Sequence, residues 1–125
     1  MDIESFKRAY TESRNGANCF YRHPFNKIFH YSDGVRECAE AGTYWLLDIA
    51  ATELPTALRE YGEYTPALLV LGATGNKASL ELSVDDESPP IWSRSIDYTD
   101  MPDGVWKFFV VDEGERIAMI LESEY

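Results

Sequence analysis

The residues in this chain best suited to chemistry are two cysteines, a histidine and a carboxylate in an apolar segment. Thiol, imidazole and carboxylate are the parts of a nucleophilic set, in which the base activates the thiol and the acid orients the base. The candidates are Cys19, His23, Cys38 and Asp48. Because no local signature surrounds them, we interpret both cysteines as reduced packing residues and expect no catalytic residue.

A second set of side chains, histidines and carboxylates, could supply metal ligands. His23 and His30, with neighbouring carboxylates, lack the paired spacings of zinc ligands. The acidic run 85–87 lacks the alternating ligands and closing glutamate of a calcium-binding loop. No glycine-rich phosphate loop is present either. We therefore expect no metal and no cofactor.

The element that must position these side chains is the apolar segment Thr43–Thr52. Nearly every side of a helix over these residues is apolar, which is typical of a buried helix. Gly42 and Thr43 predict its start, and Pro55 predicts its end. Residues 56–61 are a candidate for one more helical turn before Gly62.

Asp48 is the single charge in that segment. A carboxylate on so apolar a helix must be paired or must face outward. The candidate partners are Arg22, Arg36 and Arg59, and we favour structural pairing over catalysis.

The rest of the first half also predicts mainly helical structure. Residues 2–10 have the spacing of a short amphipathic helix. Ser32 has the features of a helix cap, for a helix that runs to Ala41. Residues 27–31 are a candidate short strand.

After Gly62 the apolar pattern changes to the alternation of strands. We predict one domain over 1–125, mainly helical over 1–61 and mainly strands over 62–125. The fold class is α+β, with helices on one face of an antiparallel meander of about five strands. The strands cover residues 66–71, 77–85, 91–98, 105–111 and 116–121, with a hairpin turn at 74–76. The fourth is apolar on both faces and should be central.

The formal net charge of −11 argues against direct binding to nucleic acid or to an anionic membrane. Residues 1–60 carry a net charge of −2, and residues 61–125 carry −9. No apolar run is long enough to span a bilayer, and the first residues lack a secretion signal. We expect a soluble protein of the cytoplasm that is attracted to basic partners.

In a meander, the loop between strands two and three lies at the same end as the turn between strands four and five. That end would collect six carboxylates with Arg116 nearby, and one further acid would extend the patch along the solvent face. The predicted partner-binding residues are Glu81, Asp85, Asp86, Glu87, Asp112, Glu113 and Glu115. The alternative is that these are simply solvated acidic loops.

Several phrases together resemble a family of small bacterial, plasmid and phage proteins known as a domain of unknown function. They are Phe20-Tyr21-Arg22-His23, Tyr31-Ser32-Asp33-Gly34-Val35, Tyr44-Trp45-Leu46-Leu47-Asp48, Ile96-Asp97-Tyr98-Thr99-Asp100 and Glu122-Ser123-Glu124-Tyr125. The resemblance covers about residues 20–55 and 96–125. It implies a setting in mobile genetic elements and supplies no catalytic residue.

These observations lead to three hypotheses. The first is an anti-CRISPR-like protein that binds the basic surface of a nucleic-acid-binding host defence protein or nucleoprotein complex, by occupying its nucleic-acid channel. The second is a small enzyme that uses Cys19 or Cys38 with His23. The third is a structural or regulatory homodimer whose interface is the fourth strand.

Overall fold

The computed structural model describes residues 1–12, 19–61, 66–84 and 88–124. These residues form three α-helices, seven strands and a final 3₁₀ turn over Glu122–Glu124. The helices are α1 (Ile3–Glu12), α2 (Asp33–Cys38) and α3 (Tyr44–Tyr61). The strands are β1 (Phe20–Arg22), β2 (Phe29–Ser32), β3 (Ala67–Thr74), β4 (Lys77–Ser83), β5 (Trp92–Ile96), β6 (Gly104–Asp112) and β7 (Ile117–Leu121).

The α+β class is confirmed, but the prediction of a five-stranded meander is wrong. The seven strands lie in the order β1-β2-β7-β6-β3-β4-β5. The sheet is mixed, because β2 runs parallel to β7. The predicted fourth strand, β6, pairs with β3 and β7 instead of with β5.

The composition of the strands explains this order. β6 is apolar on both faces and occupies the central position of the seven, as its sequence predicts. β5 exposes three polar residues in a row, Ser93, Arg94 and Ser95. A strand with so little apolar surface belongs at an edge, so β6 turns back to the apolar β3.

One core lies between the helices and one face of the sheet. Its sheet side is built from alternate residues, such as Leu69 and Leu71 of β3 and Phe108 of β6, as the period of a strand requires. Phe6 of α1 and Leu47 of α3 close it from the helical side. Buried residues of the other face of the sheet are not part of this core.

The predicted cap of α2 is confirmed, since the hydroxyl of Ser32 accepts the Val35 N–H at 3.1 Å. A π-helical turn over Ala39–Thr43 then joins α2 to α3. Gly42 lies there at φ 134°, and a Cβ at this position would approach Met1 Cα at 2.9 Å. Both the dihedral and the close approach require glycine.

The predicted end of the core helix at Pro55 is wrong, because α3 continues through it to Tyr61. A proline within a helix leaves the carbonyl four residues earlier without its N–H donor. Here the side-chain amide of Asn26 donates to the Ala51 carbonyl at 2.8 Å. A residue from outside the helix therefore satisfies the free carbonyl, and the helix gains a C-terminal half.

Candidate functional site

The predicted acidic patch lies in part within the described residues. Leu68 pairs with Ser83, and its neighbour Ala67 pairs with Val110. The C-terminal ends of β4 and β6 therefore lie at the same end of the sheet, beside the start of β3. The predicted shared end is therefore correct, although β3 lies between the two strands. Residues 85–87 lie outside the described residues, and their part of the patch stays a prediction.

Two carboxylates of the predicted patch contact arginines. Asp112 lies 3.5 Å from Arg59 Nε, and Glu113 Oε1 accepts Arg116 Nε–H at 3.1 Å. Arg59 also donates to the Gly114 carbonyl. The sequence prediction counted only Arg116 here, whereas the continuous helix α3 also brings Arg59 to this end. The local charge is therefore lower than the sequence indicates.

Glu81 and Glu115 remain exposed, as expected for a binding surface. Glu81 lies on β4 opposite Val70, with its side chain on the face of the sheet away from the helices. Among the described residues, no ion pair involves either carboxylate.

The opposite end of the sheet carries an acidic segment that the sequence prediction did not use as a site. Asp97, Asp100 and Asp103 are all exposed, and Tyr98 keeps 74% of its surface exposed. Three acids in seven residues were the available signal. This segment begins where β5 ends and leads into β6.

Backbone and side-chain contacts hold that segment against the β3–β4 hairpin. The Thr99 N–H donates to the Asn76 carbonyl at 2.8 Å, and the Gly75 N–H donates to Asp103 Oδ1 at 3.0 Å. The Thr99 hydroxyl accepts the Met101 N–H, and both of these residues are buried. The carboxylates therefore stand on a fixed segment.

Asp48 pairs with His23, and none of the three predicted arginines is its partner. His23 Nε2 lies 2.9 Å from Asp48 Oδ1, and His23 Nδ1 accepts the Phe25 N–H at 3.1 Å. Because Nδ1 is the acceptor, the proton belongs on Nε2, from which it is donated to Asp48. His23 is only 4% exposed, whereas Asp48 is 64% exposed. The pair fastens the segment after β1 to α3.

The nucleophilic set gains no support from this geometry. Both ring nitrogens of His23 are engaged, so neither is available to take a proton from a thiol. Cys38 is buried, and burial raises the pKa of its thiol to about 12. Cys19 is exposed, and both cysteines are free. With so high a pKa, the Cys38 thiol carries almost no thiolate at neutral pH.

His30 also has a local role, since its Nδ1 lies 3.2 Å from the Ile28 carbonyl and can only donate to that oxygen. Within the described ranges, no three side chains of the His, Cys, Asp and Glu types are grouped closely enough to hold a metal ion.

A buried carboxylate that the sequence analysis missed lies at the end of the chain's last described segment. Glu124 is buried, and its Oε1 accepts the Ser32 hydroxyl at 2.5 Å and the Leu121 N–H at 2.9 Å. Its Oε2 accepts the Gly34 N–H at 3.3 Å. A Cβ on Gly34 would lie 2.7 Å from the carboxylate. Two of the phrases that carry the family resemblance therefore meet at one hydrogen-bonded cluster.

Two open grooves flank the C-terminal half of α3, with volumes of about 530 and 490 Å³. Thr56 and Glu60 border both of them. The larger groove, called here the α3–β5 groove, is lined by Thr52, Glu53, Thr56, Ala57, Glu60, Ile91 and Trp92. The smaller is lined by Asn26, Ile28, Pro55, Thr56, Arg59 and Glu60.

With the fold and these contacts established, the comparison with known families identifies the chain. It belongs to the family of unknown function DUF6876, which matches residues 7–125. The resemblance to an uncharacterised domain family is thereby confirmed. No curated protein and no solved structure matches the chain. Of the helices in the described segments, none combines the length and apolar composition needed to cross a membrane.

Proposed function

We propose that this protein is a non-enzymatic interaction protein that inhibits a nucleic-acid-binding host defence protein, as an anti-CRISPR does. It would act in the cytoplasm of a bacterial host, as the product of a phage or another mobile element. Its target is a basic surface that otherwise holds DNA or RNA. The chain itself does not bind nucleic acid, because its net charge of −11 repels phosphate.

The observation that carries this proposal is a set of exposed carboxylates fixed on the sheet and its connections. Glu81, Asp97, Asp103 and Glu115 are exposed, and no ion pair involves them among the described residues. Fixed negative charge steers a basic partner and lowers its affinity for phosphate by competition. The Asp103 carboxylate accepts the Gly75 N–H, so binding through it costs less side-chain entropy than binding through a flexible carboxylate.

The two ends of the sheet differ in the strength they lend to this proposal. At the predicted end, Asp112 and Glu113 contact arginines, which reduces the net field. At the other end, Asp100 pairs with the Met1 ammonium at 2.5 Å. Asp97 and Asp103, in contrast, take part in no ion pair in the described part of the chain. We therefore expect the 97–103 segment to contribute at least as much binding as the predicted patch.

The test is a gel-shift assay with purified CRISPR effector ribonucleoproteins and their target DNA. We expect the protein to prevent DNA binding by its target complex, and to lose potency as salt rises. In cells, it should restore plaque formation by a phage that the same system targets. If no effector complex is inhibited and no phage is protected, the proposal is wrong.

Charge reversals then locate the surface. Asp97→Lys with Asp103→Lys is compared with Asp112→Lys, Glu113→Lys and reversals at Asp85 and Asp86. The Asn versions at 97 and 103 keep an oxygen for the Gly75 N–H, so they separate charge from folding. The control for the 97/103 pair is Glu4→Lys with Glu37→Lys, which changes the net charge by the same amount as that pair, at exposed helix positions. If the control weakens inhibition as much as the sheet variants, net charge alone is responsible.

A second candidate function is a homodimer formed through the outer face of β6. Val105, on that face of the central strand, is 62% exposed. Sedimentation at micromolar concentration tests this candidate, with Val105→Glu as the disrupting variant. A monomer at that concentration counts against it.

A further inference from the structure

The strand β5 forms one edge of the sheet. It pairs with β4 through five residues, from Trp92 to Ile96. In the described part of the chain, no strand pairs with its other side. An edge strand carries a row of N–H and C=O groups that can pair with another extended chain.

The hydrogen bonds identify which backbone groups point outward. The Ile91 N–H donates to the Leu82 carbonyl at 2.8 Å, so the Leu82 carbonyl faces β5. Backbone groups alternate along an antiparallel pair, and Leu82 pairs with Trp92. Trp92, Arg94 and Ile96 therefore bond to β4, and the N–H and C=O groups of Ser93 and Ser95 point away from the sheet.

The outward side of this edge has few of the features that prevent pairing. Natural edge strands are blunted by charges, including inward-pointing ones, and by prolines or bulges. Pro89 and Pro90 lie before the strand and not within it. Its one charge, Arg94, points inward, where Glu53 of α3 pairs with it. The two residues with outward backbone groups are serines, which are small and exposed.

The α3–β5 groove lies beside this edge on the helical face of the sheet. Ala57, Ile91 and Trp92 give it apolar walls, while Glu53 and Glu60 give it negative charge. Arg94 offsets Glu53, whereas Glu60 has no ion-pair partner in the described segments. A cationic side chain with an aliphatic stem matches such a groove, because the stem packs on the walls and the charge meets Glu60.

The alternation of a strand connects the edge and the groove. In a strand added beside β5, every second side chain would point to the helical face, where the groove lies. We propose that β5 binds an extended segment of a partner protein by strand addition, with a lysine or arginine side chain in the α3–β5 groove. The backbone of Ser93 and Ser95 supplies affinity, and the groove selects a segment with alternating apolar and basic residues.

This inference goes beyond the proposed function and does not depend on it. A basic extended segment of any partner would satisfy both the edge and the groove. Loss of anti-CRISPR activity would leave the peptide-binding result unchanged, and the two proposals therefore fail separately.

The test uses the full chain and a fluorescein-labelled nonapeptide, Thr-Val-Thr-Val-Lys-Val-Thr-Val-Thr. Fluorescence anisotropy measures binding, and a matched peptide carries glutamate in place of lysine. We expect the lysine peptide to bind at least tenfold more tightly than the glutamate peptide. NMR shifts should concentrate at the Ser93 and Ser95 amides. Absence of binding by the lysine peptide at 1 mM, a concentration that corresponds to about −4 kcal/mol, overturns the proposal.

Two variants separate the edge from the groove. Ser95→Pro removes an outward N–H without removing a bond to β4, and should weaken binding at least tenfold. Ser95→Thr keeps the N–H and is the matched control. Glu60→Lys should abolish the preference for the lysine peptide, with Glu60→Gln intermediate. Unchanged binding by Ser95→Pro, or charge preference that survives Glu60→Lys, overturns the corresponding half of the proposal.

Two further measurements complete the test. A lysine peptide with N-methylated backbone nitrogens keeps its side chains and loses its donors, so it tests strand addition even if Ser95→Pro fails to fold. Sedimentation with and without Ser95→Pro detects pairing of β5 with a second copy. A dimer that the proline variant abolishes would make another copy of this chain the occupant, and would overturn the assignment of a separate partner.

Discussion

The two edge strands, β1 and β5, each have a strand neighbour on one side only in the described part of the chain, and their surroundings differ. β1 is three residues long, and arginines cover it from both faces: Arg36 lies 4.5 Å from the Tyr21 ring centre, and Arg116 lies 4.8 Å from that of Phe20. β5 is longer, and its arginine is bound to α3 beneath the sheet. The same residue type therefore packs on aromatic side chains at one edge and on a helix at the other.

The two edges therefore differ in how much side-chain packing surrounds the edge strand. Tyr21 also stacks on Tyr31 at 5.9 Å, and His23 fastens the chain after β1 to Asp48. Side-chain contacts therefore secure the backbone at β1. At β5, the neighbouring groove instead leaves space for another chain.

The largest loss of stability is expected from Glu124, whose hydrogen bonds join β2, α2 and the end of β7 on the β1 side of the sheet. Glu124→Ala would leave the buried Ser32 hydroxyl and the Gly34 and Leu121 N–H groups without their acceptor. We expect the free energy of unfolding to fall by about 2–4 kcal/mol. Urea denaturation measures this loss. The control is Glu122→Ala at an exposed neighbouring position, which should change stability by less than about 0.5 kcal/mol. Equal losses in both variants would contradict the buried role.

The next largest loss of stability is expected at His23, which joins the segment after β1 to α3. His23→Ala removes a buried ring that accepts the Phe25 N–H, contacts Phe29 and pairs with Asp48. We expect a loss of about 1–3 kcal/mol by thermal or urea denaturation. Asp48→Asn keeps an acceptor for Nε2 and should cost less than His23→Ala. If the two variants cost the same, the hydrogen bond from His23 Nε2 to the Asp48 carboxylate, and not the burial of the ring, holds this segment.

The pairing of β6 with β7 begins at Phe108, so the Lys107 N–H lies just beyond the pairing and bonds to a side chain instead. The Lys107 N–H donates to the Tyr10 hydroxyl at 2.9 Å, and Tyr10→Phe should cost about 1 kcal/mol at neutral pH.

The same tyrosine gives a pH dependence, because burial raises its pKa above the usual value. Its contribution is fully present below about pH 10, the unfolded value. It declines as pH rises from there through the higher folded pKa, since the unfolded state loses its proton first. Stability curves of the native protein and Tyr10→Phe should therefore converge in alkali. A constant difference across that range would contradict the shift.

The smallest effect should sharpen the comparison of the two edges directly. Arg36→Ala and Arg116→Ala each remove one cation–π contact, for about 0.5–1 kcal/mol. Hydrogen exchange of the β1 amides should quicken in both variants, while exchange at Ser93 and Ser95 stays unchanged. Lys77→Ala, at the exposed β3–β4 hairpin, is the control. Faster exchange at both edges would mean that the arginines act on global stability and not on β1.

Features governed by neighbouring residues could be predicted from the sequence. The alternation of residues 78–84, the cap at Ser32 and the turn at Gly75-Asn76, where φ is 59° and 64°, depend on local geometry, and the structure confirms each of them. The central place of β6 also followed from its own composition, because apolar residues on both faces are typical of a strand in the interior of a sheet.

Features governed by distant partners were decided by the tertiary structure. Asn26 carries α3 through Pro55, which then brings Arg59 to Asp112 and reduces the charge of the predicted patch. β2 joins β7 in parallel, and Glu124 reaches back to Ser32. The sequence by itself determined the elements and their apolar faces, since these follow from local periodicity. Only the tertiary structure decided strand order, charge pairing and which edge stayed open, because each depends on contacts between residues far apart in the chain.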